Sequence, residues 1–80
     1  MRLTDENLKE IMSQRITILL AKENKKQIWL SEQIGADVNR IIRCKCLPSL
    51  VTTIKIAKVF NVPVDYIIGN LPMGYCFNNG

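Results

Sequence analysis

Between Gln27 and Lys45 the chain gathers side chains suited to touching the edge and backbone of a nucleic acid. The Arg43 guanidinium can donate two parallel hydrogen bonds to guanine. The Asn39 amide can pair in the same two-point way with adenine, and Val38 and Ile42 offer methyl groups to a thymine methyl. These four are the candidate base contacts. Lys26, Gln27, Arg40 and Lys45 are the candidate phosphate contacts, where charge or a hydrogen-bond donor suffices whatever the base. Each assignment has a plainer counterpart. Arg43 can serve a phosphate or simply be solvated. Asn39 can bond locally at a helix start, Val38 can belong to the core, and Ile42 can pack in a dimer. Trp29 reads as a core anchor, with an interface role as its alternative.

Other chemistry is poorly provided for. The chain has no histidine, no glycine-rich phosphate loop and no paired carboxylates in an apolar setting. A serine or cysteine nucleophile would lack a base to activate it, so no enzyme is expected. Three cysteines, Cys44, Cys46 and Cys76, make an odd set for a disulfide framework and an incomplete one for zinc. They are expected to be reduced, with no metal, cofactor or small-molecule ligand required.

Eighty residues suffice for one domain with a small core, which favours pairing of two copies. The net charge is +4. The excess sits mid-chain, where Lys22, Lys25, Lys26, Arg40, Arg43 and Lys45 face only Glu23, Glu32 and Asp37. A polyanion could meet that stretch, or it could be a solvated surface. No apolar run is long enough for a bilayer and no leader pattern opens the chain, so a cytoplasmic protein is expected.

Five helices can be placed. Thr4 caps the first, whose Leu8, Ile11, Met12, Ile16, Leu19 and Leu20 recur at spacings of three and four to about Glu23. A second runs from about Gln27 to Ile34, with Ile28, Leu30 and Ile34 available for burial. Gly35 can take the left-handed conformation that ends it. Asp37 caps a third, through about Lys45, with Val38, Ile41 and Cys44 three apart. Ser49 caps a fourth carrying Leu50, Ile54, Ala57 and Phe60, and Asn61 stops it. Pro63 opens a short fifth, Val64 to Ile68, closed by Gly69. Residues 70–80 read as a tail in which Leu71, Met73, Tyr75 and Phe77 are free to pack.

The second and third helices have the ingredients of a helix-turn-helix. Ser31 is small enough for a close crossing, Gly35 supplies the turn, and Leu30, Ile34, Ala36, Ile41 and Cys44 can form the seam.

The stretch Gln27–Gly35, together with Pro48-Ser49-Leu50 and the run Ile54 to Gly69, resembles the Cro and lambda-type repressor family, also called the xenobiotic-response-element family. The likeness covers about Arg15 to Gly69. It implies an all-α, compact five-helix bundle of the lambda-repressor-like type, with a DNA-binding domain over residues 1–69 and its motif at about 27–45. It implies a dimeric transcriptional regulator that binds double-stranded DNA. Gln27 matches the glutamine that, in the family, reaches phosphate and braces the recognition helix. With Val38 where a polar bracing partner usually stands, the brace is expected to be lost. The loop before Pro48 is shorter than the family's, and Asp37 replaces the usual serine or threonine. If the shortening lay inside the third helix, the base-reading residues would shift. A dimer interface is expected at the fifth helix and tail, with Tyr66, Ile67, Leu71, Met73, Tyr75 and Phe77. The alternative function is a protein-interaction module on the same fold, of the antitoxin or antirepressor type.

Overall fold

The computed structural model describes residues 4–72 and 74, and in them the chain is all helical: α1 (Asp5–Glu23), α2 (Gln27–Ile34), α3 (Val38–Ile42), α4 (Leu50–Phe60) and α5 (Val64–Ile67). No strand occurs among the described residues.

Side chains start three of these helices. Thr4 Oγ1 accepts from Asn7 N–H at 3.1 Å, Asp37 Oδ1 from Asn39 N–H at 3.1 Å, and Ser49 Oγ from Thr52 N–H at 3.1 Å. Each bond satisfies a backbone donor that the first turn leaves without a partner. Left-handed residues end all five: Asn24 (φ 55°), Gly35 (φ 67°), Cys44 (φ 60°), Asn61 (φ 55°) and Gly69 (φ 90°). After α1, α3 and α4 the next N–H folds back to a carbonyl in the last turn, as in Lys25 to Leu20, Lys45 to Arg40 and Val62 to Ala57, each at 2.9 Å.

The core lies where the helices converge. Ile16, Leu30, Val38, Ile56, Tyr66 and Ile67 are its largest fully buried side chains. Burying an aliphatic side chain of this kind stabilises by roughly 1.5–3 kcal/mol. α3 packs on α1 and α2, α4 packs on α2 and α5, and α5 returns to α1. Trp29 is half-buried and meets Phe60 with ring centroids 6.1 Å apart, joining α2 to α4.

Arg15 is buried within this apolar setting. Its guanidinium donates to the Leu71 carbonyl and lies 4.8 Å from the centre of the Tyr66 ring. The two contacts offset the cost of desolvating the charge and hold the segment after α5 against α1. Gly69 makes the same junction possible. At φ 90° it lies so close to α1 that a Cβ would come within 2.7 Å of Ile11 Cγ2.

Several expectations need revision. α3 ends at Ile42 rather than near Lys45, because Cys44 turns left-handed and closes the helix there. α4 buries Thr53, Ile56, Ala57 and Phe60, while Leu50 is 71% exposed and Ile54 37%. Ile28 is 68% exposed rather than buried. Tyr66 and Ile67 are fully buried in the core, so neither is free to form a dimer interface. Met73, Tyr75 and Phe77 lie outside the described residues.

Candidate nucleic-acid interface

A helix of five residues does not hold itself together in water. α3 is fastened at both ends by serines from the helices it crosses. Ser31 of α2 accepts from Val38 N–H at 3.0 Å, and Ser13 of α1 donates to the Ile42 carbonyl. Between these bonds Val38 and Ile41 are buried. The opposite side of the helix, with Asn39 and Arg40, faces solvent, and Arg43 follows as the exposed cap residue.

Val38 must therefore leave the set of base contacts. It has no exposed surface, because the first position of α3 points into the crossing with α2, where its backbone also meets Ser31. Ile42 is half-buried and packs against the core, with part of its surface still open.

The brace expected to be lost is present with a different partner. Asn39 Nδ2 donates to Gln27 Oε1 at 2.9 Å. The first position of α2 is thus joined to the second position of α3 across the turn. Lys26, the residue before α2, is exposed and Gln27 is half-buried. Lys26, Gln27, Asn39 and Ile42 share one open groove of about 680 Å³, which Thr17 and Leu20 of α1 also line. Arg40, Arg43 and Lys45 are exposed but do not line that groove. None of Lys26, Arg40, Arg43 and Lys45 is ion-paired with a described residue. The described part of the helix-turn-helix thus presents a net positive surface.

Two contributors escaped sequence reasoning. Ser13 lies one position from the buried Met12 on α1, and nothing in its spacing points to a partner on α3. Ser31 is there for more than its size, since its hydroxyl takes the first N–H of α3. A further surface stands beside the site. Leu50 and Val51, 71% and 61% exposed, and Ile54 form an apolar patch at the start of α4, just beyond the loop that leaves α3.

Set against known proteins, the chain matches no family model, no curated protein and no solved structure. Among the described residues, no group of three or more cysteine and carboxylate side chains is placed to hold a metal ion, and no helix is long and apolar enough to cross a membrane.

Proposed function

We propose that this chain binds double-stranded DNA sequence-specifically, with α3 in the major groove and the start of α2 on the backbone, as a repressor-like regulator of transcription. The observation that carries the reading is the Gln27–Asn39 bond beside an α3 that exposes Asn39, Arg40 and Arg43 while burying Val38 and Ile41. A helix positioned for its own sake would not need polar donors on its outer side joined to the preceding helix. In this arrangement Asn39 and Arg43 read base edges, and Ile42 adds apolar contact. Lys26, Gln27, Arg40 and Lys45 serve phosphates. The fold kinship of the lambda-repressor-like type is part of the same proposal.

The protein acts as a homodimer in this reading. A second copy covers Leu50, Val51 and Ile54. The patch carries no charge, so it can face itself across a two-fold axis without repulsion, and it adjoins the loop that leaves α3.

Selection of bound sequences from random duplexes at physiological salt tests the proposal. It expects an enriched, pseudo-palindromic site whose binding weakens steeply with salt. Recovery of no enriched sequence would overturn it. A second reading rests on the groove between α1 and α3, where the exposed Ile28 lies beside Lys25 and Lys26. A protein partner could dock there, and salt-insensitive capture of a protein without DNA would favour that function.

A further inference from the structure

We propose that Cys44 and Cys46 are an oxidation site: a thiol pair that peroxide closes into a disulfide, with loss of DNA affinity. The second half of the proposal rests on the DNA-binding reading above.

Both thiols are free and half-buried, so they are neither sealed in the core nor already bridged. Only Lys45 separates them. Covalent geometry alone keeps their Cα atoms within about 7 Å. The chain bends at Lys45, and a disulfide accepts Cα separations of roughly 4.4–6.8 Å, so closing the ring asks for at most a small local adjustment.

The pair also occupies a sensitive place. Cys44 is the left-handed residue that closes α3, the position glycine fills after α2 and asparagine fills after α1 and α4. Lys45, inside the ring that a disulfide would form, donates its N–H to Arg40. Arg43 and Lys45, the two residues flanking Cys44, are exposed cations of the proposed DNA surface. A ring through Lys45 therefore constrains both the cap of α3 and the direction of its terminal cations.

The chemistry balances with peroxide as the named oxidant. One thiolate attacks a peroxide oxygen, the O–O bond breaks, and a sulfenic acid forms as the departing hydroxide takes up a proton to become water. The second thiol attacks the sulfenic sulfur, the S–S bond forms, and the hydroxyl leaves with the thiol proton as a second water. Two thiols and one peroxide give one disulfide and two waters.

The test uses the full chain carrying Cys76→Ser, treated with stoichiometric hydrogen peroxide. The expected result is a monomer lighter by about 2 Da with no titratable thiol, restored by dithiothreitol. With Cys46→Ser added, dimedone should instead trap a sulfenic acid on Cys44. Affinity for the selected duplex should fall by roughly tenfold on oxidation and recover on reduction, while the Cys46→Ser, Cys76→Ser protein gives no disulfide within the chain. Two thiols surviving peroxide, a disulfide only between chains, or oxidation straight to sulfinic acid would overturn the site. A closed disulfide with unchanged affinity would overturn its coupling to DNA. If no duplex binds even when reduced, the DNA reading fails and the coupling with it, while mass and thiol count still judge the pair.

Discussion

The amide of exposed Asn39 donates one of its two N–H groups to Gln27 Oε1 at 2.9 Å, which leaves the other N–H and the carbonyl oxygen available for a further partner. That is the donor and acceptor pair an adenine edge requires in the major groove. On the proposed DNA-binding reading, Gln27 would thereby hold Asn39 in an orientation suited to a base edge. Substituting either residue by alanine should weaken binding to the preferred duplex, and Asn39→Ala should also relax discrimination at an A·T pair. A double-mutant cycle on binding should give a coupling of about 0.5–1.5 kcal/mol. Strict additivity would show that the bond does not position Asn39 for recognition.

Arg43 and Lys26 should fail in different ways. Arg43→Ala is expected to cost about 1–3 kcal/mol on the preferred site and to relax one base pair. Lys26→Ala should weaken preferred and scrambled duplexes alike and lower the salt slope by about one contact. Titrations of both duplexes over a salt series decide the matter. Equal weakening by Arg43→Ala on both duplexes would mean that α3 does not present Arg43 to a base.

The patch at the start of α4 gives a prediction on assembly. Leu50→Lys with Val51→Lys should leave the helical circular dichroism at about 25 °C unchanged, since these side chains are 71% and 61% exposed. The same pair should shift sedimentation from dimer to monomer and reduce cooperative occupancy of two half-sites. A wild-type chain that remains monomeric at high micromolar concentration, with and without DNA, would remove the dimer.

Cys44→Gly should stabilise the reduced protein. A side chain at φ 60° carries a left-handed cost of about 1–2 kcal/mol that glycine avoids, part of which is returned through the greater freedom of glycine in the unfolded chain. A rise in stability of about 0.5–1 kcal/mol in urea unfolding is expected. A loss of stability would show that the half-buried thiol contributes packing that outweighs the backbone cost.

Gly69→Ala should do the reverse. At φ 90° a methyl group meets both an unfavourable backbone and Ile11 Cγ2, a branch atom too close to its own backbone to swing aside. The expected loss is about 1–3 kcal/mol. Adding Ile11→Ala should not restore wild-type stability, because the backbone cost remains and a cavity replaces the clash. Full recovery in thermal melts would assign the whole effect to contact.

The sequence made the helices legible where each end carried its own chemistry. Thr4, Asp37 and Ser49 are caps by residue type, and Gly35 and Asn61 are stops by backbone tolerance. The end of α3 was hidden because a cysteine stands where glycine or asparagine usually signals a left-handed turn. The buried face of α4 was hidden for another reason. Leu50, Val51, Ile54, Ile56, Ala57, Val59 and Phe60 spread apolar groups around much of the helix, so periodicity does not choose among them and Thr53 is buried where Leu50 is not. At the candidate site, Gln27 was recognisable but its partner was not, since a shift of one position between Val38 and Asn39 depends on how the turn sets the rotation of α3.

The two serines that hold α3 have a consequence for the thermodynamics of association. Fixing a residue's backbone costs about 1–2 kcal/mol, and a segment that becomes helical only on meeting its target bears that cost during binding. Here Ser31 and Ser13 tie both ends of α3 to longer helices, so its ordering is completed when the chain folds. Complex formation should then show the small heat-capacity change of two rigid surfaces meeting. The amide protons of Ile41 and Ile42 should exchange with solvent only as fast as the whole domain opens, whether or not a target is present.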